Sequence, residues 1–205
     1  MFFKLKKHFS GRDARIRMNL ISGLVLLIVI LEVINSYAGH RFNSWGINPA
    51  LANPFPGIFR APFLHATFSH AILNASLFLV LGWLVSLRGV GKFLMISFFI
   101  VLLGGLGVWL FGRVAYHIGA SGLVFGYFGF LVAIGLFERQ KESLFIAFLV
   151  LPLYGGVFIG ILPSEATISW EMHLFGLLAG ILAAWVWTSP AVNKRNISSE
   201  FPGNY

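Results

Sequence analysis

The sequence predicts an all-α membrane protein, a bundle of six transmembrane helices, and three observations carry that reading. Of its 205 residues, 58% are hydrophobic and only 11% charged, where an ordinary soluble domain carries roughly a quarter charged residues. Mean hydropathy is +0.83. Apolar runs long enough to cross a hydrocarbon core of about 30 Å recur along the whole chain. Little length is left for a soluble domain, and the absence of cysteine excludes disulfides and thiolate chemistry.

The N-terminal element, residues 1–18, is a basic segment, with Lys4, Lys6, Lys7, Arg12, Arg15 and Arg17 against the single Asp13. A basic cluster abutting an apolar span is read as a topology signal rather than a nucleic-acid site. No small-residue cleavage site comes after the first apolar run, so a removable leader is not expected. The six spans fall at 19–37, 69–87, 93–111, 119–137, 143–162 and 171–188, which makes 19–188 the membrane domain and 189–205 a polar tail. Turn chemistry separates them, as in Arg88-Gly89-Val90-Gly91-Lys92, Glu138-Arg139-Gln140-Lys141-Glu142 and Pro163-Ser164-Glu165. Residues 38–63, broken by Pro49, Pro54, Pro56 and Pro62 yet rich in aromatics, read as a structured segment lying in the interface.

With the N-terminus inside, the inner segments hold twelve of the fifteen basic residues, and the outer ones only Arg41, Arg60 and Arg113. The positive-inside rule then places both termini in the cytoplasm. Spans two, four and six all run from outside to inside. His70 and Asn74 in span two, Ser121 at the start of span four and His173 at the start of span six therefore share one shallow depth in the outer half. Polar groups at membrane depth are costly and face the bundle interior or a water-filled cavity. The inner halves of these spans, such as 77–85 and 177–186, are nearly all apolar. That pattern argues against a transport pathway and for an aqueous cavity that opens outward and ends partway across.

Spacing refines the picture. His70 and Asn74 are four residues apart and share a helix face. His173, Gly176 and Gly180 form one stripe, and span four carries its own ladder of Gly122, Gly126 and Gly129. Small residues let membrane helices approach closely; packing along these stripes brings Ser121 and His173 together near their outer ends. A serine hydroxyl becomes a nucleophile when a base takes its proton. The resulting oxyanion needs preorganised donors, which His70, Asn74 and the Ser121 backbone N–H at a helix N-terminus can supply. Glu171 sits two residues before His173 on another face, so the expectation is a dyad rather than a triad. His117, four residues before Ser121, is the rival base, but it lies in a connection rather than in a packed span. His65 is expected to brace the loop, and Glu32, near the outer end of span one, to reach water. No HExxH motif or clustered histidine ligands appear, so neither metal nor cofactor is expected.

These residues resemble the rhomboid family of intramembrane serine proteases. Gly119-Ala120-Ser121-Gly122 is similar to the family's GxSG nucleophile motif. The run from His173 to Gly180, HLFGLLAG, resembles its base-bearing helix, and HATFSHAILN from His65 to Asn74 its second-span signature. The likeness covers all six spans in order. It implies a six-helix bundle, catalysis by Ser121 and His173, an oxyanion role for His70 and Asn74, and substrates that are transmembrane segments of other proteins. Two positions depart from the usual pattern. Phe59-Arg60 stands where many members carry Trp-Arg, and Phe125 where many carry a tyrosine against the histidine ring. A catalytically silent relative that binds membrane helices is the alternative function. The intact serine and histidine speak against it, while oligomeric state and substrate identity are left open.

Overall fold

The computed structural model describes residues 11–162 and 169–188, with the backbone alone for 157–159. The predicted Pro163-Ser164-Glu165 turn, Lys4, Lys6 and Lys7, and the tail with Lys194 and Arg195 lie outside the described residues. Among those described the secondary structure is helical and strand-free, apart from one isolated antiparallel bridge between Ile47 and His117. α1 runs Gly11–Tyr37, α2 Phe55–Arg60, α3 Phe68–Ser86, α4 Val90–Phe111, α5 Ser121–Glu138, α6 Lys141–Tyr154 and α7 Trp170–Thr188. Five of them, α1, α3, α4, α5 and α7, are each long and apolar enough to cross a membrane.

Two spans differ from their expected outlines. α1 already includes Gly11, the first described residue, rather than starting at residue 19, and its arginines are good helix formers. The fifth span, expected as one stretch over 143–162, is α6 continued by a 3-10 helix over Gly155–Ile161. Pro152 lies inside α6 and withdraws a backbone donor there, and Gly155-Gly156 weaken the helix beyond it. The chain then tightens into the narrower helix instead of continuing the wider one.

α5 is the central helix: 72% of its apolar window is buried, against 22–44% for the other four. Its glycines explain why. A Cβ on Gly176 of α7 would strike the Gly122 carbonyl, and one on Gly180 would strike that of Gly126, so the two backbones touch directly. On the other side, a Cβ on Gly135 would come within 2.6 Å of Ala147 in α6. Around this seam pack Ile21 of α1, Leu81 and Val85 of α3, Phe93, Ile96 and Ile100 of α4, and Ala183 and Ala184 of α7. Tyr127, fully buried in this core, reaches the Ser97 hydroxyl at 2.6 Å, and Ser97 donates to the Phe93 carbonyl. The buried hydroxyls are thus satisfied.

The segment between α1 and α3 is folded tightly against one end of the bundle. It holds a 3-10 turn over Arg41–Trp45, then α2, then a second 3-10 turn over Ala61–Phe63. Ile47, Ile58 and Ala61 are buried against Val108 and Met172, whereas Trp45, Leu51, Phe55 and Phe59 are exposed. Ile47 and His117 exchange backbone hydrogen bonds of 3.0 and 2.8 Å, and the Gly119 N–H donates to the Ala61 carbonyl at 2.8 Å. These bonds fasten the segment to the turn that starts α5.

Candidate active site

The site gathers where α3, α5 and α7 begin. Ser121 is the first residue of α5 and is buried. The turn before it is held from two directions: Gly119 bonds to Ala61, and the Ala120 N–H donates to His65 Nε2 at 3.2 Å. His65 itself is fully buried, and burial first, then the neighbouring His70, lowers its pKa from 6.5 to about 3. It braces the loop as a neutral acceptor. With those two donors used, the Ser121 N–H at the helix start has no acceptor among the described residues.

Gly119 stands at φ +118°, a conformation suited to glycine. A Cβ there would sit 3.1 Å from the His70 ring and 3.5 Å from Ser121 Oγ. The missing side chain therefore leaves a small space faced by His70 and by the serine hydroxyl. Asn74 is buried one turn below His70 and donates from Nδ2 to the His70 carbonyl at 2.9 Å, which leaves the second amide hydrogen uncommitted among the described residues.

His173 is oriented from both sides. Its Nδ1 lies 2.8 Å from the Gly160 carbonyl; a carbonyl only accepts, so Nδ1 carries the hydrogen and Nε2 of the neutral ring carries the lone pair. The ring stacks on Phe125, one turn after Ser121, with centroids 4.1 Å apart and planes 9° apart. The glycine seam sets the register, since Gly122 and Gly176 meet one and three residues beyond Ser121 and His173. Ser121 Oγ makes no hydrogen bond to His173 among the described residues; catalytic hydrogen bonds are often long before substrate closes the site.

Other sequence candidates are placed elsewhere. His117 is buried with both ring nitrogens engaged, Nδ1 at 2.6 Å from Ser169 Oγ and Nε2 at 2.9 Å from the Arg113 carbonyl, which removes it as a base. Glu171 pairs with Arg113 Nε at 3.3 Å, and its other oxygen lies 3.9 Å from His117 Nδ1. Glu32 corrects an expectation. It does not reach water: it is fully buried, with Oε1 accepting from Ser36 at 3.2 Å and lying 3.2 Å from His40 Nε2. Residues 39 and 40 turn the chain back through left-handed conformations and so bring His40 over the helix end. Sequence reasoning missed Gly160, because a backbone acceptor leaves no trace in residue type. It also passed over Ser169, whose place before α7 was a helix-cap signal.

Fold and site together define a class: a helical membrane protein whose bundle gathers a serine, two histidines and an asparagine at the starts of three helices. Comparison with known proteins narrows it. The family profile described as Rhomboid domain matches residues 54–190. An uncharacterised protein of Mycobacterium tuberculosis is 39% identical over 180 residues, covering 83% of this chain and 75% of its own. One of Mycobacterium leprae is 35% identical over 178 residues, covering 82% and 70%. A Bacillus subtilis protein provisionally named rhomboid protease YdcA is 27% identical over 175 residues, covering 81% and 87%. The chain belongs to the rhomboid family.

Proposed function

We propose that the protein is an intramembrane serine endopeptidase that cleaves transmembrane segments of other membrane proteins. The observation that carries the reading is the paired orientation across the α5–α7 seam. The Gly160 carbonyl and the Phe125 ring turn the proton-accepting Nε2 of His173 away from its bound Nδ1. Ser121 starts the helix that the seam holds alongside.

In this reading a substrate carbonyl carbon sits over Ser121 Oγ. His173 Nε2 takes the hydroxyl proton as Oγ attacks, forming a tetrahedral intermediate. Its oxygen lies in the space that Gly119 leaves, accepting from the Ser121 N–H and from the His70 and Asn74 side chains. One such donor contributes about 3 kcal/mol to the transition state. His173 then gives its proton to the departing amine, and water repeats the cycle to release the acyl group. The positive-inside pattern puts both termini in the cytoplasm and the site in the outer half of the membrane. The bacterial relatives fit a bacterial cytoplasmic membrane.

The test is labelling of the detergent-solubilised protein with a serine-directed fluorophosphonate, beside cleavage of a transmembrane test substrate in proteoliposomes. Wild type and Ser76→Ala, which changes an exposed serine on α3, are expected to label and cleave. Ser121→Ala and His173→Ala are expected to do neither. A folded wild type that neither labels nor cleaves would instead favour a silent helix-binding relative.

A further inference from the structure

The seam between α5 and α7 has a mechanical weakness. The glycines in contact carry no side chain to resist sliding along the helix axes, so resistance falls to apolar contacts such as Met172 on Gly122, Leu177 and Ile181 on Gly129, and Phe125 on His173, none of which is directional. Sliding by about 1 Å at a reacting pair costs on the order of a hundredfold in rate. A directional contact at the end where Ser121 and His173 lie would fix the register more sharply than these apolar contacts can.

The hydrogen-bond pattern identifies it. Ser169 lies four residues before His173 and His117 four before Ser121. Ser169 Oγ and His117 Nδ1 are 2.6 Å apart. Because His117 Nε2 must donate to the Arg113 carbonyl, Nδ1 of the neutral ring accepts and the Ser169 hydroxyl donates. That hydroxyl also accepts the Met172 N–H at 3.4 Å, and the Ser169 carbonyl accepts from Met172 and His173 at 3.1 and 3.4 Å. Ser169 is thus the cap of the base-bearing helix, and its cap bond is tied to the turn that carries the serine. Glu171 with Arg113 makes a second strut between the same two elements.

We propose that His117 and Ser169 are positioning residues, a brace that locks the starts of α5 and α7 in register and so sets His173 against Ser121. The kinetic consequence rests on the protease reading. The placement of the His173 ring does not.

The experiment uses the full chain in detergent micelles and proteoliposomes, with Ser169→Ala, Ser169→Thr, His117→Phe and the Ser169→Ala/His117→Phe double variant. Two readouts are taken: kcat and KM on the transmembrane test substrate, and the histidine ring 15N resonances. Ser169→Ala and His117→Phe are expected to lower kcat roughly 10- to 100-fold with KM within about twofold. The double variant falls no further than the worse single one, because both remove the same bond. Ser169→Thr, which keeps the hydroxyl, restores the rate. The His173 ring resonances move in Ser169→Ala and His117→Phe and return in Ser169→Thr. Unmoved kcat in folded single variants, losses that multiply, or failure of threonine to rescue would overturn the brace. A wild type without activity would sink the protease reading instead. The resonances then decide alone, and His173 signals unmoved in Ser169→Ala would overturn the brace by themselves.

Discussion

Two polar sites at opposite ends of the bundle, the Arg88 cluster and the Ser121 turn, are treated in opposite ways. At the end where α3 meets α4 and α5 meets α6, Arg88 donates to both Glu138 oxygens at 2.7 Å and to Ser143 at 3.0 Å. Ser143 in turn donates to Glu138 at 2.7 Å. Arg88 also lies over the Phe130 ring, 5.6 Å from its centre. Each of these three side chains has partners of matching geometry, and the cluster clamps two interhelical turns. At the other end Ser121 keeps its hydroxyl and its N–H uncommitted among the described residues, while its neighbours Gly119 and Ala120 are tied down. Buried polar groups are normally satisfied; a set left open beside a rigidly held turn reserves its valences for something that arrives. The satisfied cluster holds the fold, and the open turn is where the proposed chemistry takes place.

That contrast is broken most directly by substitution at the open end. Ser121→Ala is expected to lower cleavage by a factor on the order of ten thousand or more, with no fall in melting temperature, since the hydroxyl makes no bond among the described residues. A variant that melts early would show that the serine belongs to the fold. Next in size is the proposed oxyanion site. His70→Ala and Asn74→Ala should each cost about a hundredfold in kcat, read on the transmembrane substrate at saturating concentration. Asn74→Ala also loses the bond to the His70 carbonyl, so its loss should exceed that of His70→Ala if Asn74 additionally holds the α3 start.

The closed end predicts the reverse pattern. Glu138→Gln keeps the shape and removes the charge from a bidentate pair, so it should cost about 2 kcal/mol of stability. Cleavage per folded molecule should stay within about twofold. Thermal unfolding in detergent reads the first quantity and active-site titration the second. A Glu138→Gln protein that melts normally and cleaves slowly would erase the division between the two ends.

Legibility in the sequence depends on how far apart the partners lie along the chain. The spans could be read, because continuous apolar length is a local signal, and so could the α5–α7 seam, because each glycine stripe lies on one helix. The break in α6 was half legible: Pro152 and Gly155-Gly156 signal it, but the apolar run continues through them and hides the change of helix type. Glu32 was misjudged because its partner His40 lies beyond a turn made by residues 39 and 40. Arg88 with Glu138 and His117 with Ser169 are 50 and 52 residues apart, and no periodicity reports such pairs. The site residues stand out by being polar in apolar helices; the bonds that orient them are long-range and partly backbone.

The prediction that probes the held turn itself is the pH dependence of stability through His65. Its buried ring accepts the Ala120 N–H and must be neutral to do so. Burial, with His70 beside it, lowers its pKa to about 3 from the ordinary 6.5. Between these values the unfolded chain binds a proton that the folded one refuses. Stability from this group is therefore fully present above pH 6.5 and declines as pH falls towards 3. The melting temperature should drop from pH 7.5 to pH 4.5. His65→Gln retains an acceptor for Ala120 and has no proton to gain, so its melting temperature should fall less over the same interval. Equal slopes for the two proteins would mean that the acid sensitivity resides in other groups, and that the Ser121 turn is not held by a histidine kept neutral.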